Sequence, residues 1–463
     1  MATTTNDFGR VSRLKGTIFE MLTFGASVTG ILALAALLIY VSVDAFDLEA
    51  ASPEWLLVYF FTLVLPYLGF CLYETDRSVK RLTAVVLVGG LVGTAVLFTA
   101  VEALVRPIPR LNWQLTYLFA VVLPVTGYVS VAGSSTPTGA VGFGLLGRLL
   151  GGAALGLWIF VLFVVFDLQL YFLVYTLGVV PAVAVAYALR RWEITARPLA
   201  GRIVVVLVGI AGTVLAYVLR GIIPTYPTTL IILAWSLVFP VAGLVALLMS
   251  RRYDRRRGLI TGAIVLAVAL GGGIGLSMVA FSTSASVLLM LGVAVPTTMY
   301  LYRVQTSEAN RVGLVLPVLL VGGVLVGAVV VNALGIAGPN AWLDLSYVRG
   351  TPTTQTTRAR SAGLFPPIVG SVLIITLVAV ISFVLGVGTA VFLEEYTSDS
   401  GLIGAVSRLI QVNIANLAAV PSVVYGLLGL AVFVNLFGFG FGTAVSASLT
   451  LSLLILPITV ISA

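Results

Sequence analysis

Apolar runs close to twenty residues long recur from Thr17 almost to Ala463, and this one feature leaves few folds open. An α-helix needs about 20 apolar residues to cross the hydrocarbon core of a bilayer, and in lipid each backbone polar group must be satisfied internally. Spans are expected at about 17–43, 55–73, 82–104, 113–131, 149–166, 168–189, 203–219, 228–249, 258–280, 284–302, 311–334, 365–393, 409–437 and 443–463. Hydrophobic residues make up 60% of the 463 and charged ones 9%, too apolar a mixture for a soluble domain. The expected fold class is all-α: a polytopic integral membrane protein of about 14 transmembrane helices. Its first run is not read as a signal peptide, because it lacks a small-residue cleavage site and many spans follow it.

The formal charge of +8 invites a nucleic-acid reading, but its placement argues against one. With the N-terminus cytoplasmic, 19 of the 25 Lys and Arg residues fall on the inner side and 6 on the outer. SRRYDRRR (250–257) and RRWEITARPLAGR (190–202) lie inside, whereas VDAFDLEAASPEW (43–55) lies outside with acids and no base. This is the positive-inside pattern of a multi-pass protein of the cell (plasma) membrane, and no nucleic-acid partner is expected. The single cysteine, Cys71, permits no disulfide within the chain and reads as packing. No histidine is present, so imidazole metal sites and histidine proton relays are excluded, and no cofactor is expected.

Prolines recur near the middle of alternate spans, at Pro66, Pro124, Pro181, Pro240 and Pro296. Their near-even spacing marks an internal repeat of helical hairpins, each pairing a Pro-bearing helix with a returning helix. Glycine clusters such as VGGLVGTAV (88–96), LGGGIGLS (270–277) and VGGVLVGAV (321–329) fill the returning helices. No Gly-Lys-Ser/Thr follows any of them, so they read as sites of close helix approach and not as phosphate loops. All five hairpins run the same way, unlike an inverted-repeat transporter core. Glu102 and Asp167 lie near the outer surface, which leaves the repeats poor in mid-membrane charge. The expected organisation is a cytoplasmic N-terminus and first helix (1–44), a five-hairpin array (45–335), a polar outer linker (336–364) and a distinct C-terminal region (365–463).

That last region carries a resemblance. GLFPPIVGSVLIITLVAVISFVLGVGTAVFLEEY (363–396), RLIQVNIANLAAVPSVVYGLLGLAVFV (408–434) and SLLILPITVISA (452–463) resemble, in order, the membrane permease of phosphate ABC importers, closer to its PstA-type than its PstC-type subunit. The family's first helix would be 17–43, with the hairpins inserted after it, or 311–334, with everything earlier an extension. The resemblance implies a transport subunit and not an enzyme, with ATP hydrolysis in a separate chain. It also implies three partners: a PstC-type second permease, a cytoplasmic ATPase and an extracytoplasmic phosphate-binding protein, all acting beside membrane lipid. Consistent with this division of labour, the chain has no Walker loop. The family's cytoplasmic EAA coupling loop would follow LPITVISA, so the sequence is expected to be a truncated portion of the whole subunit. Permeases for sulfate or molybdate share the architecture. A rival function is a non-transporting membrane scaffold or sensor built on the repeats.

The candidate site is NIANLAAVPSVVYGLLGL (413–430), where Asn413, Asn416, Ser422, Tyr425 and Gly426 surround Pro421. A proline frees backbone groups that hydroxyls or water then satisfy, which is tolerated where the helix lines a cavity or is buried in protein. Ser422 and Tyr425, three apart, are expected to share a face, as are Asn413 and Asn416. Two readings stand: lining of a translocation path or subunit interface, and local capping and packing. Glu394 and Glu395 are adjacent and diverge by about 100° on a helix, so they read as hydrated carboxylates or a partner contact and not as a catalytic pair. Arg349, Arg358 and Arg360 of the outer linker read either as flexible, non-specific charge or as candidates for attracting an oxyanion or an acidic partner.

Overall fold

The computed structural model describes residues 13–45, 52–105, 107–192, 198–278, 281–306, 310–339, 344–351, 363–395 and 401–463. Helix is the regular structure throughout these residues, and none of them forms a strand. Helix α1 spans Arg13–Ala45. The hairpin helices follow as α2 (Pro53–Cys71), α3 (Arg77–Leu104), α4 (Asn112–Ser134), α5 (Pro137–Val165), α6 (Leu168–Arg191), α7 (Ala200–Arg220), α8 (Thr229–Arg252), α9 (Arg255–Ser277), α10 (Thr283–Thr306) and α11 (Arg311–Leu334). A short α12 (Leu345–Arg349) precedes α13 (Phe365–Glu395), α14 (Gly401–Ala418), α15 (Ser422–Leu436) and α16 (Ala444–Ser462). Among the described residues, 13 helices are long and apolar enough to cross a membrane, or 14 if α14 and α15 form one broken span. The chain is an all-α, multi-pass membrane protein.

The repeat prolines have a structural counterpart. Four of them follow a π-helical turn: Phe60–Val64 before Pro66, Leu118–Val122 before Pro124, Tyr175–Val179 before Pro181 and Ala234–Val238 before Pro240. A proline ring clashes with the carbonyl four residues back, and widening the turn by one residue relieves that clash. Leu65, Leu123, Val180 and Phe239 accordingly donate their N–H to the carbonyl five residues back. Pro296 instead sits within the unbroken helix α10.

Cα packing divides the chain into two compact units. One comprises residues 1–132 and 319–365, the other residues 133–318 and 366–463. The hairpin array therefore contributes to both. In the first unit, α11 lies against α2, where Gly323 and Gly327 leave room for Thr62, Leu63 and Tyr59. The Tyr67 and Ser130 hydroxyls join α2 to α4 at 2.5 Å. Two described linker residues meet helix ends: the Asp344 N–H donates to the Ala45 carbonyl at 2.7 Å and the Ser52 hydroxyl to the Ala337 carbonyl at 2.8 Å. Asp344 caps α12 through the Ser346 and Tyr347 N–H groups.

The second unit holds a hydrophobic core where Leu233, Val238, Val245, Val265, Val287 and Leu288 of α8, α9 and α10 are buried together. Helix α5 crosses α10 at glycines. A Cβ on Gly152 would fall on the Gly292 carbonyl, one on Gly292 on the Gly152 carbonyl, and one on Gly156 on the Leu288 carbonyl. Small residues at such crossings bring backbones into van der Waals contact, the main attraction between helices in lipid. Helix α5 begins twelve residues before the expected 149. Thr136 caps it by accepting the Gly139 N–H at 3.0 Å, and Pro137 occupies its first position. The glycine-rich start of α5 had the composition of a loop, but Thr138, Val141, Gly142 and Leu145 are buried against neighbouring helices. The Trp158 indole N–H donates to the Thr376 hydroxyl at 3.1 Å, tying the array to α13.

Candidate functional site

Residues 413–430 form a helix, a break and a second helix, where one span over 409–437 was expected. Helices Ser407–Ala418 and Ser422–Leu436 meet at 104°. Pro421 stands just before the first turn of α15, with φ −55° and ψ 137°, an extended conformation that ends the incoming helix. The turn closes with the Ala419 N–H on the Asn416 carbonyl at 3.2 Å and the Val420 N–H on the Leu417 carbonyl at 3.0 Å.

Tyr425 and Ser422, three apart on one helix, differ in burial. Tyr425 is 4% exposed, and its hydroxyl reaches back across the break to donate to the Leu417 carbonyl at 2.8 Å. The Leu417 carbonyl thus accepts both the Val420 N–H and the Tyr425 hydroxyl, while Ser422 is exposed. Asn413 and Asn416 are also exposed, as are Pro421 and Gly426. Neither asparagine makes a side-chain hydrogen bond among the described residues. Nothing within 4 Å would oppose a Cβ on Gly426, whereas one on Gly429 would strike Thr450 of α16. Helix α15 thus turns Tyr425 and Gly429 inward and leaves Ser422 and Gly426, one turn apart, on an open face.

Sequence reasoning missed the hydroxyl-rich interior of the adjoining helices. Ser448 and Ser452 of α16 are buried and donate to the Ala444 and Ser448 carbonyls at 2.6 and 2.7 Å. Ser382 of α13 is buried, and its hydroxyl has no partner among the described residues. The i, i+4 spacing of Ser448 and Ser452 was the available signal. Beyond them, Gly438 and Gly442 take φ near 72° in the turn between α15 and α16, a left-handed conformation suited to glycine.

Glu394 and Glu395 are exposed at the end of α13. Arg349 is exposed in α12, while Arg358 and Arg360 lie outside the described residues. Asp344, at the start of α12, has its carboxyl held below the usual range, chiefly by the Ser346 hydroxyl at 2.5 Å. No cluster of potential metal ligands occurs among the described residues. An apolar groove of about 610 Å³ between α6, α8 and α9 is lined by Phe172, Thr176, Trp235 and Phe239 without an ionisable group.

No family model, curated protein or solved structure matches the chain. The functional reading therefore rests on the residues themselves.

Proposed function

We propose that the chain is a permease subunit of an ATP-binding-cassette importer and that it carries inorganic phosphate. The observation that carries this reading is the exposed helix break at Ala419–Pro421, set in the stretch that resembles the PstA-type subunit. Irregular backbone is not tolerated against lipid at membrane depth, so protein or water must face it. The same holds for Asn413, Asn416 and Ser422, polar side chains exposed on helices of membrane-grade sequence. A second permease subunit on one side and an aqueous path on the other would meet both needs. Open space at Gly426 favours close approach by a partner helix. Tyr425 supports the bend and does not line the path. In this scheme ATP hydrolysis belongs to a separate cytoplasmic chain, and an extracytoplasmic binding protein delivers phosphate. The protein sits in the plasma membrane with its N-terminus cytoplasmic.

The rival reading, a non-transporting scaffold or sensor, draws on the dense α8–α10 core and the glycine crossing of α5 with α10. Reconstitution of the full-length subunit with its candidate partners in proteoliposomes separates the two. ATP-dependent accumulation of labelled phosphate, resistant to excess sulfate and molybdate, is the expected result. No ATP-dependent accumulation would favour the scaffold, and competition by sulfate or molybdate would change the substrate.

A further inference from the structure

The turn Ser250–Arg257 (SRRYDRRR) holds five arginines and one carboxylate, Asp254. Its residues are not merely a loose string of charge. The Tyr253 ring packs edge-on against Tyr302 of α10, with centroids 4.6 Å apart. Arg252 lies over Tyr253 at 5.8 Å and Arg257 over Tyr302 at 5.7 Å. The paired rings thus bear a guanidinium at each end. A cation–π contact at this distance leaves the guanidinium N–H donors available, in the planar fork that fits a phosphate.

Those donors are uncommitted. Arg252 and Arg257 are exposed and make no hydrogen bond or ion pair among the described residues. Arg148 differs: it stacks on Tyr300 at 4.0 Å but donates to the Gly144 carbonyl at 2.6 Å. The buried Tyr302 hydroxyl also has no partner among the described residues. One turn from the arginines, Leu247, Leu248, Leu259 and Ile260 are 47–62% exposed, as expected of side chains facing acyl tails. The cluster therefore lies at headgroup level, on the membrane face that the arginine asymmetry assigns to the cytoplasm.

We infer that Arg252, Tyr253, Arg257 and Tyr302 form a binding site for the phosphodiester of an anionic phospholipid. A phosphate oxyanion is the ligand chemistry, and the lipid is its source because the donors border exposed apolar helix faces. The inference is independent of what the chain transports.

The test uses the full-length protein in phosphatidylcholine nanodiscs titrated with phosphatidylglycerol, read by native mass spectrometry and thermal melting. Saturable phosphatidylglycerol binding with a rise in Tm is expected. Arg252→Gln/Arg257→Gln should bind about thirtyfold more weakly, at roughly 1 kcal/mol per arginine near an anionic surface. Its Tm in pure phosphatidylcholine should match the parent. If that variant fails to fold, Arg252→Lys/Arg257→Lys keeps the charge, loses the planar fork, and should still bind several-fold more weakly. Arg190→Gln/Arg191→Gln removes a basic pair without a tyrosine stack and should lose little. Three results would overturn the site. One is equal loss in the Arg190/Arg191 variant, the mark of generic charge attraction. Another is an equal Tm rise with inorganic phosphate alone, which makes the ligand a free anion. The third is indifference to phosphatidylglycerol with loss of a copurifying ATPase chain in Arg252→Gln/Arg257→Gln, which assigns the arginines to a protein partner.

Discussion

Helices α8–α10 and helices α14–α15 are both built from membrane-grade sequence, yet they meet their obligations differently. In α8–α10 the core is apolar and the Ser236 hydroxyl is bonded within its own helix at 2.5 Å. In α14–α15 the helix breaks, Asn413, Asn416 and Ser422 are exposed, and one hydroxyl, that of Tyr425, turns back to mend the gap. The first region packs an apolar cluster, with the Ser286, Thr297 and Tyr302 hydroxyls of α10 buried and without a partner among the described residues. The second exposes a helix break and polar side chains, and the proposal of transport rests on them.

The contrast is sharpest in the response to substitution. Gly152→Val should be the most damaging change, costing about 3 kcal/mol by overpacking the α5–α10 crossing. Gly151→Val next to it, where a Cβ meets nothing within 4 Å, should stay within about 0.5 kcal/mol. Thermal unfolding in detergent measures both, and equal losses would refute the crossing. Tyr425→Phe should cost about 1 kcal/mol through the lost bond to Leu417, with packing kept. Arg220→Gln removes an exposed ion pair with Asp167, at 2.8 Å, and should cost less than about 1 kcal/mol. Asp167→Ala should cost more, because Asp167 also caps α6 through the Gln169 N–H.

The smallest effect concerns pH. The Asp344 pKa is lowered on folding, so its contribution is present above its unfolded pKa and is lost as pH falls through its folded one. Hydrogen exchange of the Ser346 and Tyr347 amides should therefore accelerate only in the acid range below the ordinary carboxylate pKa. Acceleration beginning near neutrality would contradict the cap.

The helix count was legible because it rests on hydropathy. The π-helical turns before Pro66, Pro124, Pro181 and Pro240 were not, since nothing in composition distinguishes a widened turn from a kink or a break. The early start of α5 was obscured because SSTPTGAVGFG has the composition of a loop, and tertiary packing overrides that preference. At the candidate site Pro421 announced the break, but spacing alone did not show that Tyr425 is buried. Its burial goes with a hydrogen bond to the Leu417 carbonyl across the break, a property of geometry and not of periodicity.

The most direct test of the central claim is phosphate uptake by the full-length complex carrying Asn413→Leu and Ser422→Leu together, normalised to the amount of assembled subunit. If the open face of the break lines the path or the subunit interface, ATP-dependent uptake should fall at least about tenfold, as loss of roughly 1.4 kcal/mol or more would require. The array control Gly151→Val should leave uptake unchanged. Full uptake by the doubly substituted, normally assembled complex would contradict the account.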